Sequence, residues 1–234
     1  MQCEFESHRG HQSWGTIIAI DTTSTRPRLA LILLSAILFG VLVFLATQIN
    51  SWWMTGSDTW VFNWFDEHRP HPSPGKSNKI FAFIGQPVHV AIAGLASGTV
   101  LALQARSVLR LIVVTGAVGA GAALEQTFKA IVERTPEHVA LLDGYASTFP
   151  SGHVTGAATL FGMIAVCLGT RRSREVKATL AAVATAGVVS VGVLALYVRA
   201  HTFTDVIGGM VLGGALVALG AAAIVTHQTR ASAR

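Results

Sequence analysis

The sequence predicts an all-α polytopic membrane protein, a bundle of six transmembrane helices. Three observations predict it. Of 234 residues, 51% are hydrophobic and only 12% charged, with mean hydropathy +0.54; a soluble domain carries about 25% charge. The apolar residues gather in six runs, most close to the ~20 residues that cross a bilayer core. Lys and Arg are distributed unevenly between alternate connections.

The first run spans about Leu29 to Ile49. It is longer than the ~7–15 residues of a signal-peptide core, and no small-x-small cleavage pattern follows, so it reads as an uncleaved span. Residues 1–28 before it read as a mobile, polar cytoplasmic tail. The second span is expected at about Ile80 to Leu103, the third at Leu111 to Phe128, and the fourth at Val154 to Thr170. The fifth covers about Ala178 to Val198 and the sixth Val206 to Val225. Residues 29–226 then form one membrane domain, and 227–234 a short cytoplasmic tail.

The connection from Asn50 to Asn78 carries Trp52, Trp53, Trp60 and Trp64. Ser57 or Asp58 is placed to cap a short helix with Trp60, Val61, Trp64 and Phe65 on one face. Such a helix lies in the membrane interface, its indoles at headgroup level. The run Pro70-His71-Pro72-Ser73-Pro74-Gly75 interrupts any helix before the second span. Gly209 and Gly213 make a GxxxG in the sixth span, and Gly116, Gly119 and Gly121 give the third a small face; both suit close packing within one bundle.

With the N-terminus inside, the inner segments hold Arg9, Arg26, Arg28, Arg106, Arg110, Arg171, Arg172, Arg174, Lys177, Arg230 and Arg234. The outer ones hold Arg69, Lys76, Lys79, Lys129, Arg134 and Arg199. Eleven against six places both termini in the cytoplasm. The net charge of +5 therefore belongs to cytoplasmic connections and not to a nucleic-acid surface. The two cysteines, Cys3 and Cys167, are not expected to pair, and no feature fixes an oligomeric state.

Three clusters then share the outer face. Lys129 and Arg134 leave the third span, Pro150-Ser151-Gly152-His153 opens the fourth, and Arg199, His201 and Asp205 link the fifth and sixth. Ser-Gly before a helix presents backbone N–H groups that bind phosphate, and Gly152 admits an anion closely. Lys129, Arg134 and Arg199 supply cationic donors for phosphoryl oxygens. His201 is suited to attack phosphorus, with Asp205 one helical turn away to fix its tautomer, and His153 to protonate the leaving group. An i,i+4 His/Asp pair also suits zinc, but the neighbouring cations would repel a metal, so neither metal nor cofactor is expected. His68, His71, His89 and His138 are read as solvated, as are Glu125, Glu133, Glu137 and Asp143.

In these residues the chain resembles the type 2 phosphatidic acid phosphatase (PAP2) superfamily, whose pattern is K-x6-R-P, then P-S-G-H, then S-R-x5-H-x3-D. Pro150-Ser151-Gly152-His153 matches the second part, His201 and Asp205 the end of the third, and Lys129 the start of the first. The resemblance implies the six-helix PAP2 bundle, His201 as a nucleophile forming phospho-histidine, Asp205 orienting it, and His153 as general acid. It implies Lys129, Ser151 and Gly152 as phosphate-binding groups. Two positions depart from the pattern: Pro136 and Ala195 stand where the family has arginine. Arg134 and Arg199 are expected to replace them.

The expected function is hydrolysis of a lipid phosphate or pyrophosphate at the extracytoplasmic face of the plasma membrane. Polyprenyl pyrophosphate, used in cell-envelope synthesis, is the first candidate; phosphatidate or phosphatidylglycerol phosphate is the second. The alternative is a non-catalytic lipid-phosphate-binding protein with a degenerate site. The expected partners are the lipid substrate and the bilayer.

Overall fold

A computed structural model describes residues 22–68, 75–134 and 147–232. Among the described residues the chain forms eight helices and no strand. They are α1 (Thr22–Thr47), α2 (Trp52–His68), α3 (Gly75–Gly85), α4 (Pro87–Ala105), α5 (Val108–Val132), α6 (Gly152–Gly169), α7 (Arg174–Tyr197) and α8 (Phe203–Ser232). Six of them, α1 and α4 to α8, contain stretches long and apolar enough to cross a membrane. Exposed Leu33, Ile37, Ile92, Leu103 and Val183 clothe the outside of the bundle, as lipid-facing surfaces require.

The expected second span is two helices. It breaks at Gln86, because Pro87 offers no N–H and favours the first turn of a new helix. The short α3 is thereby freed to fold over the end of the bundle where α6 begins. Two other boundaries also differ from expectation: α1 starts at Thr22, inside the expected tail, and α8 runs on to Ser232.

Helix α2 starts earlier than the sequence suggests, so Ser57 and Asp58 lie inside it and cap nothing at its start. Its inward stripe is Met54 and Asp58, with Val61, Phe62 and Phe65 half-buried, while Trp52, Trp60 and Trp64 are exposed. The four residues expected on one face therefore divide between two.

The most enclosed span is α8, packed between α1, α5 and α6. Its GxxxG works inside the bundle. A Cβ at Gly209 would come within 2.7 Å of the Ser151 carbonyl oxygen, and one at Gly213 would strike the Ala158 methyl on α6. On α5 only Gly121 is in such contact, against Thr155 and Leu216; Gly119 opens onto a cavity. Cys167 is free and buried on α6.

Candidate active site

The C-terminal end of α5 and the N-terminal ends of α6 and α8 meet under α2 and α3, and this brings the three clusters to one end of the bundle around two neighbouring cavities. At the start of α8, Thr202 and Asp205 form a capping box. The Thr202 N–H donates to Asp205 Oδ2 at 2.9 Å, and the Asp205 N–H donates to Thr202 Oγ1 at 3.3 Å. The carboxylate of Asp205 is fully buried and so held in place at the first turn. His201 Nδ1 lies 3.7 Å from Asp205 Oδ2, an ion-pair distance longer than a formed hydrogen bond. Catalytic contacts of this kind commonly tighten only when substrate binds. With Nδ1 turned to Asp205, the imidazole presents Nε2 as its other polar atom.

At the start of α6, Ser151 is the N-cap and is wholly buried; its Oγ accepts from the Val154 N–H at 3.4 Å. Its own N–H donates to the Asp205 carbonyl at 3.0 Å, which ties α6 to α8. Ser151 thus shapes the turn, and Gly152 is the residue of the pair that faces the cavity. The His153 ring stacks on Phe81 of α3, with centroids 3.9 Å apart and planes 9° from parallel. A Cβ on Gly85 would overlap this imidazole, so the glycine at the end of α3 gives it room. The His153 and His201 rings stand 6.1 Å apart, and His153 Nε2 is buried without a hydrogen-bond partner. A buried polar atom left open in this way marks a place for a ligand.

His153, His201, Lys129 and Gly152 line the outer end of one cavity of about 530 Å³. The cavity continues between α4, α5 and α6 past Val90 and Gly119 to Leu95 and Thr115, where its walls are apolar.

Arg134 and Arg199 lie elsewhere. Both line a second cavity, of about 470 Å³, between α2 and the ends of α5, α7 and α8. His201 borders both cavities. Arg134 is buried and fully engaged: Nη1 donates to Asp205 Oδ1 at 3.0 Å and Thr204 Oγ1 at 2.5 Å, and Nη2 to Asp58 Oδ2 at 2.5 Å. Arg199 sits in the left-handed region (φ 60°) just past α7, where the Ala200 N–H closes on the Ala195 carbonyl. Its guanidinium pairs with Asp66 and lies 4.7 Å over the Phe62 ring. Ala195, the other departure, is fully buried in a cluster with Phe81, Val154 and Val206. Pro136, His138, Glu137, Asp143, Arg69 and His71 lie outside the described residues.

Two residues escaped the sequence reading. Asp58 accepts from the Thr204 N–H at 2.8 Å as well as from Arg134, so α2 caps α8 from a distance. Glu125, read as solvated, is buried within the α5 span and pairs with Lys129 at 2.5 Å. Asp58 carries no local signal that would have separated it from an ordinary cap. For Glu125 the hint was its place one turn before Lys129, inside an apolar run. Among the described residues, no group of three or more His, Cys, Asp or Glu is placed to hold a metal.

The pattern of the PAP2 superfamily matches residues 29–229. The chain belongs to the PAP2 superfamily. Its fold is similar to that in the crystal structure of the first transmembrane PAP2 type phosphatidylglycerolphosphate phosphatase from Bacillus subtilis, with a TM-score of 0.66 at 22% identity. The match covers 84% of this chain and 96% of that one. No curated protein matches the chain in sequence. This PAP2 protein is a multi-pass membrane protein, helical and without strands among its described residues, and the neighbour is likewise a transmembrane protein.

Proposed function

We propose that the protein is a membrane phosphatase that hydrolyses a lipid phosphate or pyrophosphate through a phospho-histidine on His201. One observation carries this reading. A single cavity joins two histidines, a lysine and a helix N-terminus at its outer end to an apolar interior between spans. Such a cavity receives a charged headgroup at one end and a hydrocarbon chain at the other.

In this mechanism the phosphoryl group sits on Lys129 and the first N–H groups of α6, which have no partner within the helix. His201 Nε2 forms the N–P bond as the bond from phosphorus to the lipid oxygen breaks. His153 delivers a proton to that oxygen. Asp205 stabilises the charge that grows on the His201 ring, and water then attacks phosphorus, giving its proton to His153 and releasing phosphate. Ser151 positions the turn and Arg134 positions Asp205. Arg199 meets phosphoryl oxygens from the second cavity.

The site end of the bundle is read as extracytoplasmic in the plasma membrane. It is opposite the end carrying Arg106, Arg110, Arg171, Arg172, Arg174 and Lys177, and with α1 entering from the cytoplasm both termini are inside. Polyprenyl pyrophosphate is the first substrate to try, then phosphatidylglycerol phosphate, the substrate class named for the Bacillus protein, and phosphatidate.

The test is phosphate release from these lipids by the purified protein in detergent. Release that is insensitive to chelators, blocked by vanadate and lost in His201→Ala supports the reading. Release that survives His201→Ala sinks the mechanism. No release from any of the lipids, with lipid-phosphate binding intact, would favour the non-catalytic alternative.

A further inference from the structure

We propose that Glu125 is an internal stand-in for the substrate's phosphate, holding the phosphate seat while the site is empty. The inference rests on the phosphatase reading and adds to it a residue that sets how strongly the site accepts anions.

The argument starts from position. Glu125 is 6% exposed on the last turns of α5, and it lines the same cavity as Lys129, Gly152, His153 and His201. Its Oε1 lies 2.5 Å from Lys129 Nζ. On the other side, a Cβ added to Gly152 would come within 2.7 Å of Oε1 and 3.1 Å of Oε2. The carboxylate therefore rests directly on the glycine that opens α6, where the helix end favours an anion. The space that Gly152 leaves for a phosphoryl group is occupied by the protein's own carboxylate.

Charge makes the consequence definite. Among the described residues that line this cavity Lys129 is the one Lys or Arg, with Arg199 approaching only from the cavity on the other side of His201, and Glu125 offsets Lys129. An incoming phosphate meets a like charge at contact distance and must displace the carboxylate from Lys129 and from its place beside Gly152. The empty site is thereby kept satisfied, since neither a buried ammonium nor a buried carboxylate is left alone. Its affinity for phosphate is set by a competition inside the chain.

The experiment compares the full-length protein with Glu125→Gln and Glu125→Asp in detergent, with exposed Glu67→Gln on α2 as the charge control. Inorganic phosphate binding is followed by calorimetry, and vanadate and phosphate inhibition by lipid-phosphate hydrolysis. Removing one like charge at this distance is expected to tighten phosphate binding and lower both inhibition constants by about tenfold in Glu125→Gln. Glu125→Asp keeps the buried charge but withdraws it by one methylene, so a smaller tightening is expected; this variant serves if Glu125→Gln does not fold. Unchanged or weaker phosphate binding in both variants overturns the proposal while an active wild type leaves the phosphatase reading standing. A wild type that neither binds phosphate nor hydrolyses any lipid overturns both.

Discussion

Arg134 Nη1 lies 3.0 Å from Asp205 Oδ1, while the opposite arm of the same guanidinium holds Asp58 at 2.5 Å. A residue expected to grip substrate is a clamp between two buried carboxylates, one from α2 and one from α8. The fork geometry of arginine suits two acceptors at once.

Arg134→Ala should consequently act on the protein before it acts on substrate. It strands Asp58 and Asp205 in a buried site, which costs about 3–5 kcal/mol. A large loss of thermal stability in detergent, with kcat falling and KM little changed in the surviving fraction, is expected. Arg134→Lys should rescue poorly, because an ammonium cannot span both carboxylates. A KM effect alone, at wild-type stability, would return Arg134 to the role of phosphate donor.

Arg199→Ala should behave differently. Its partner Asp66 is 42% exposed and Arg199 itself 30%, so the pair contributes less than about 1 kcal/mol to stability. On the proposed role of Arg199, meeting phosphoryl oxygens from the second cavity, KM should rise several-fold at nearly constant kcat. Identical kinetics in wild type and variant would remove it from the site.

Gly85→Val tests the support behind His153, the proposed general acid. The added Cβ overlaps the His153 imidazole, so the ring must leave its stack on Phe81. A loss of roughly 10²–10⁴ in kcat, the contribution of a placed acid, is expected with near-wild-type thermal stability. Full activity would show that the stack is dispensable.

The bundle seam is tested by Gly213→Leu, whose Cβ collides with Ala158 on α6. Overpacking there should destabilise by about 1–3 kcal/mol and lower the melting temperature. A variant as stable as wild type would mean that α6 and α8 separate without penalty.

Much of this arrangement can be read from the chain alone, and the remainder divides by physical cause. Long apolar runs place α1 and α5 to α8, since only a helix satisfies its backbone inside lipid. His201 and Asp205, four apart beside an apolar run, declare a shared helix end. The break at Gln86 is written in Pro87, but the surrounding hydrophobic run outweighs one proline when spans are sought by length. Asp58 could not be found this way: its partners stand 76 and 146 residues on, and nothing local separates it from a cap. Glu125 misled because charged residues near helix ends are ordinarily wet. Only the approach of α6 makes that position dry.

Because His201 borders two cavities of unlike character, the proposed turnover has separate ways out for its two products. On this reading the dephosphorylated lipid retreats along the apolar passage beside Leu95, and free phosphate departs under α2 through the more polar chamber that Thr59 borders. Thr59→Trp, by plugging that chamber, should slow the discharge of the proposed phospho-enzyme while leaving the first burst of dephosphorylated lipid unchanged. Equal slowing of both phases would mean that a single door serves all traffic. On the proposed mechanism the nucleophile stands in the partition between an oily room and a more polar one.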